Sequence, residues 1–250
     1  MQLIRSHPWR VTPRQASEIQ LELKKHLIPQ GQWDGPGLIA AADASYSRRS
    51  GTAYAAVVVL RWPGLETVET SSALGEVAFP YVPGLLTFRE GPVLIDAFVR
   101  LRCRPDVIIF DGQGIAHPRC MGLAAHMGVL LDTPTIGCAK SRLVGEHKPP
   151  GPVPGDWAAL MLKGRVVGAV LRTRRRVKPV FVSPGHRLGL ETSIRIVMNT
   201  CTGYRLPEPL RRAHLLVNTL RAGNARTGLN SAPKNADSGR QSHLKTNKNC

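Results

Sequence analysis

The run Gly37–Trp62, GLIAAADASYSRRSGTAYAAVVVLRW, decides the fold of this chain. Two stretches of small and β-branched residues, Gly37–Ser47 and Thr52–Trp62, flank a Ser-Arg-Arg-Ser-Gly turn, and that pattern predicts an antiparallel hairpin. LETVET, Leu65–Thr70, then supplies a third strand beside them. In the first strand one carboxylate, Asp43, stands among alanines and an isoleucine, where an unpaired charge is costly.

Outward from the hairpin the pattern changes to alternating strands and helices. Upstream, Thr12 and Pro13 form an N-cap and first-turn pair, and Ala16, Ile19, Leu23 and Leu27 share one helical face. Downstream, Gly91-Pro92 predicts the opening of a helix whose Val93, Leu94, Ala97, Phe98 and Leu101 point inward. DVIIFDG, Asp106–Gly112, is a short continuous apolar run, as in a strand buried on both faces. Residues 121–132 read as a helix, 134–139 as another buried strand and 166–186 as a second hairpin with a basic turn. Helices are predicted over 190–201 and 207–223. A meander followed by β-α-β units gives an α/β fold, a mixed central sheet with helices on both faces.

The chain carries 34 Lys and Arg against 17 Asp and Glu, a net charge of +17 that favours a polyanionic partner. Its five cysteines are odd in number, widely spaced and never in a C-x-x-C pair, which excludes a disulfide framework or cysteine zinc site and fits a reducing cytoplasm. Neither a signal peptide nor a membrane span is legible, so a soluble, cytoplasmic protein is expected. Large apolar residues thin out after residue 222, and the expectation is a domain over 1–222 with a basic, disordered tail over 223–250.

Three acids come from separate segments. Asp43 lies in the first strand, Asp111 at the carboxyl end of VIIF, where α/β sheets gather ligands, and Glu90 just before the expected helix start. Converging at one sheet edge, they suit hard divalent cations. Taken singly, each also suits a structural role: a turn cap, a segment cap, a charge at a helix N-terminus.

At this point the residues resemble endonuclease V, a nuclease family acting on deaminated bases. The resemblance rests on DASYS around Asp43, FPYVPGLLTFREGP, PDVIIFDGQGIAHPR, PTIGCAKSRL, FVSPGH and EPLRRAHLL, in order over roughly residues 8–222. It implies a ribonuclease-H-like fold with a mixed five-stranded sheet. It also implies a Mg²⁺-dependent enzyme, with Mn²⁺ able to substitute, that cuts the second phosphodiester bond 3′ to hypoxanthine and leaves 3′-hydroxyl and 5′-phosphate ends. Asp43, Glu90 and Asp111 match the family's metal ligands, and His214 its late-helix histidine near the metal. Lys140, after a buried strand, is positioned to stabilise phosphate charge, or else is a solvated strand-end lysine. The expected partner is DNA containing deaminated bases, or inosine-containing RNA, met by a monomer with no membrane and no obligate protein partner.

In the stretch Pro80, Tyr81, Val82, Pro83, two prolines fix φ and remove two backbone donors, giving a stiff turn with an aromatic ring at its tip. The ring either packs over the turn or, as the resemblance implies, wedges strands apart while the lesion is flipped from the stack. The resemblance further places Gly84, Leu86, Gln113 and Gly114 where main-chain groups read the base, with His117 beside them. Arg172, Arg174, Arg175, Arg176 and Lys178 are candidates for phosphate contacts or a solvated turn. The rival readings are an inosine-specific endoribonuclease of the same family, a ribonuclease-H-like nuclease acting on undamaged strands, and a non-catalytic nucleic-acid-binding protein.

Overall fold

The hairpin forms as β1 (Leu38–Tyr46) and β2 (Thr52–Arg61), paired from Leu38 with Arg61 to Tyr46 with Ala53. The structure, a computed structural model, describes residues 1–31, 35, 37–47 and 49–227; Arg48 of the turn falls outside them. β3 (Glu66–Glu76) adds antiparallel to β2 and is longer than LETVET. β4 (Val107–Phe110) adds parallel to β1, and β5 (Thr135–Ala139) parallel to β4.

That β3-β2-β1-β4-β5 set is the expected mixed sheet, yet among the described residues the sheet has eight strands rather than five, continuing through β8 (Val180–Pro184), β7 (Arg165–Leu171) and β6 (Trp157–Leu162). The extension is antiparallel throughout. Its β7-β8 hairpin is the expected basic one, while β6 had no forecast. Lys163 and Gly164 turn β6 into β7 with φ of 50° and 76°, the two-positive-φ geometry that closes a two-residue hairpin.

Period-two alternation assigns the two faces of the sheet. Ala40, Ala42, Ile108 and Phe110 point into one core with α2 (Leu86–Val99) and α3 (Leu123–Leu131). Ile39, Ala41, Val107 and Ile109 point into the other, closed by α4 (Leu190–Asn199) and α5 (Glu208–Thr227). α1 (Pro13–Leu23) starts as expected, with Thr12 and Gln15 closing a reciprocal capping box.

Two boundaries differ from expectation. α2 begins at Leu86, so Gly91 and Pro92 lie inside it and Glu90 is within the helix rather than before it. The glycine there serves packing: a Cβ on Gly91 would lie 2.5 Å from the Trp9 ring. α5 runs to Thr227, past the expected helix end at 223, and the expected tail lies outside the described residues from residue 228. Among the described residues no helix is long and apolar enough to cross a membrane.

Candidate active site

The parallel pairing of β1 with β4 ends at Ala42 and Phe110, so Asp43 and Asp111 are the next residues on two adjacent strands. By alternation both point to the α5 face. α5 meets them there: His214 Nδ1 lies 2.7 Å from Asp43 Oδ2. Asn218 fixes which ring nitrogen carries the proton. Its Nδ2 donates to the His214 carbonyl oxygen at 2.8 Å and lies 3.2 Å from Nε2, so Nε2 accepts and Nδ1–H donates to Asp43. From the end of β5, Lys140 pairs with Asp111.

Ligand atoms of Asp43, Asp111 and His214 all lie within 4.8 Å of one another. Burial, and then the neighbouring Asp111 charge, push the Asp43 carboxyl above its usual range. Two carboxylates, one of them desolvated beside its neighbour's charge, form a donor set that fits a hard divalent cation.

Glu90 stands apart from this triad. It reaches the site from α2, on the opposite face, and is buried. Burial, reinforced by the charges of Asp43 and Asp111, raises its carboxyl to about 8, with Tyr46 beside it acting the other way. Arg89, whose guanidinium lies 4.5 Å from the Tyr46 ring centroid, walls this side.

Beside the acids opens a cavity of about 380 Å³, at the small end for a small-molecule site, lined by Tyr81, Val82, Pro83, Gly84, Leu86, Asp111, Gln113, His117 and Lys140 among others. Tyr81 is 70% exposed, while Val82 beneath it packs with Phe79, Leu85 and Phe88. Pro80 is exposed but outside the lining, so the stiff turn presents its ring and its second proline to the cavity. Gly114 is also outside the lining, buried against β8. Gln113 donates Nε2 to the Ser141 carbonyl at 2.9 Å, leaving its Oε1 buried and, among the described residues, unpartnered.

The Gly84 carbonyl is gripped by three side chains. Gln20 Nε2 donates at 3.1 Å, Arg119 Nη2 at 2.8 Å, and His117 Nε2 lies at 2.8 Å. His117 Nδ1 accepts from the Arg119 and Met121 amides at 3.1 and 3.3 Å, so its proton sits on Nε2 and is donated to Gly84. Gly84 has φ of +80°, where glycine is favoured, and this clamp holds the Tyr81 turn onto the cavity. Sequence reasoning missed Gln20 and Arg119, which meet Gly84 only through the tertiary fold. Asn218 had a legible signal, four residues after His214 on one helix face.

Burial lowers the His117 imidazole to about 4, so it is neutral at pH 7. Its folded value lies below its unfolded value of about 6.5, so the unfolded chain binds the extra proton first and stability falls as pH drops below about 6.5. Between pH 7 and 5 this one group is expected to remove about 2 kcal/mol. Urea unfolding at the two pH values checks this; His117→Gln should shrink the loss by about that amount.

The remaining basic candidates divide. Arg172 is spent on the carbonyls of Gly151 and Val177, whereas Arg174, Arg175, Arg176 and Lys178 are exposed on the β7-β8 turn.

The pattern of the family described as Endonuclease V matches residues 20–215. The Endonuclease V of Dehalococcoides mccartyi strain BAV1 is 49% identical over 209 residues, covering 84% of this chain and 94% of that protein. The crystal structure of the Streptomyces avermitilis Endonuclease V is 41% identical with a TM-score of 0.82, over 88% of this chain and 96% of that one. That of the Ciona intestinalis Endonuclease V, in complex with a 24mer DNA containing an inosine followed by a ribo-adenosine, is 28% identical with a TM-score of 0.73, over 84% and 98%.

Proposed function

This chain belongs to the endonuclease V family, and from that premise we propose that it is a Mg²⁺-dependent repair endonuclease. It nicks DNA at the second phosphodiester bond 3′ to hypoxanthine, leaving 3′-hydroxyl and 5′-phosphate ends. The observation that carries the reading is the juxtaposition of the Asp43–Asp111–His214 triad with a base-sized cavity beneath an exposed, clamped tyrosine.

Asp43 and Asp111 would hold the cation, with Glu90 as a further candidate; Mn²⁺ fits the same donors. When bound, the cation supplies Lewis-acid stabilisation of charge on the scissile phosphate. Lys140, held at the end of β5 by Asp111, adds a second positive charge there. The Asp43 carboxylate orients the His214 ring, and its Nε2 lone pair, which accepts from Asn218, would take or hold a proton of the attacking water once that 3.2 Å contact gives way. Tyr81 fills the gap left by the flipped base, a stacking contribution of roughly 1–3 kcal/mol. Leu86 and Thr87, at the start of α2, line the cavity, and their first-turn N–H groups would be available to a base oxygen there. Four described cysteines are free thiols, which fits work in the cytoplasm.

Inosine-containing RNA is the second reading. The Ciona relative's bound strand carries a ribonucleotide directly after the inosine, so a 2′-hydroxyl at that step is compatible with this architecture. The test is a gel assay with Mg²⁺ on matched oligonucleotides, one deoxyinosine in DNA and one inosine in RNA. The deoxyinosine strand should be nicked at the second bond on its 3′ side, and the undamaged control left whole. Equal cutting of both, or none of either, defeats the proposal; faster cutting of the RNA selects the second reading.

A further inference from the structure

Across the acidic triad from the base cavity, the α5 face carries an aromatic surface that the catalytic reading does not use. Tyr204, in the loop before α5, is 50% exposed. The guanidinium of Arg211 covers its ring at 4.5 Å from the centroid. Arg211 is itself locked by two hydrogen bonds to Glu208, Nε to Oε2 at 2.6 Å and Nη2 to Oε1 at 2.8 Å. Glu208 is buried, and Arg211 first and Arg212 after it hold its carboxyl down at about 2, so the pair stays ionised. Arg211 therefore offers a planar backing to the ring more than a net charge.

The location links this ring to the site. Arg211 precedes His214 by three residues, which places both on one face of α5. Arg205, next to Tyr204, donates Nη2 to the Lys140 carbonyl at 2.7 Å and to the Pro179 carbonyl at 2.9 Å, and Nε to that of Lys178 at 2.9 Å. Tyr204 thus stands where the end of β5, the start of α5 and the β7-β8 turn meet. That turn exposes Arg174, Arg175, Arg176 and Lys178.

We propose that Tyr204, backed by Arg211, is a stacking site for an unpaired base of the strand that leaves the acidic triad, with the β7-β8 turn receiving the following phosphates. This rests on the reading above, in which the lesion occupies the cavity and the strand crosses the sheet edge at Asp111 and Asp43; beyond the cut it emerges on the α5 face, 3′ to the lesion. A base stacks on any aromatic face, so the site is indifferent to sequence.

The test uses the full chain in metal-free buffer, where the strand stays intact, and fluorescence anisotropy with two single-stranded deoxyinosine oligonucleotides. One extends about eight nucleotides past the lesion and the other roughly two, bracketing the reach of a single binding platform. Tyr204→Ala should weaken binding of the long strand on the order of tenfold and leave the short one unchanged. Tyr204→Phe, which keeps the ring, should bind both as the parent does. An equal loss on both strands, no loss on either, or a phenylalanine variant as weak as the alanine one overturns the proposal. Cleavage of the same deoxyinosine strand by the parent protein with Mg²⁺ is scored separately. Failure there defeats the proposed activity, while a length-dependent Tyr204 effect still establishes the stacking site.

Discussion

Asp43→Ala is expected to lower cleavage of a deoxyinosine strand by at least about 10³-fold while leaving strand binding within a few-fold of the parent. Asp43 is the centre of the site in three ways. It belongs to the triad whose donor atoms lie within 4.8 Å, it orients His214, and it stands next to Asp111 at the end of the parallel strand pair. Removing it takes away a cation donor and the partner that directs the imidazole. The same change should not weaken the fold. Burial and the Asp111 charge already raise this carboxyl, so in the metal-free protein the carboxylate works against folding, and its removal should hold or raise the melting temperature. Added Mg²⁺ should stabilise the parent by mass action and leave the variant unmoved. A variant that still cuts, or still gains stability from the cation, would rule out this assignment of Asp43.

The second large effect is on folding. Gly114→Ala should destabilise the protein by about 3 kcal/mol or more, because no side chain fits there. A Cβ would lie 2.0 Å from the Pro184 carbonyl oxygen and 2.8 Å from that of Ser183, both backbone atoms of β8. The loop cannot retreat. Gly114 N–H donates to Ser183 Oγ at 2.8 Å, Ile115 N–H to the Pro184 carbonyl at 2.8 Å, and Gly122 N–H to the Gly114 carbonyl at 3.0 Å. Either β8 moves away from β5 or the cavity loop is displaced, and both routes cost cleavage as well as stability. Gly223→Ala is the control: among the described residues nothing lies within 4 Å of a Cβ there, and inside α5 the change should be neutral or stabilising by up to about 1 kcal/mol. Urea unfolding of the two variants side by side decides it; similar midpoints would refute the packing argument.

Much of this was legible in the residues. Alternating small and β-branched runs place Asp43 in a strand, and the apolar VIIF run places Asp111 at a strand end, because one-dimensional patterns report burial directly. Glu90 was misplaced because Gly91-Pro92 is the usual signature of a helix start. Here the glycine makes room for the Trp9 ring, and the helix tolerates Pro92 within a buried element. β6 escaped notice because its hairpin closes on Lys-Gly rather than on Asn-Gly. The Gln20–Arg119–His117 grip on Gly84 joins segments about a hundred residues apart in sequence, and no local pattern announces it.

Asp43 and Asp111 stand side by side on two adjacent strands, each one residue past the last paired position. The span from the cavity to the triad is therefore a ruler graduated by strand spacing, close to 4.8 Å, and not by side-chain length. Point substitutions around the site should change how fast a strand is cut and leave the position of the cut where it was.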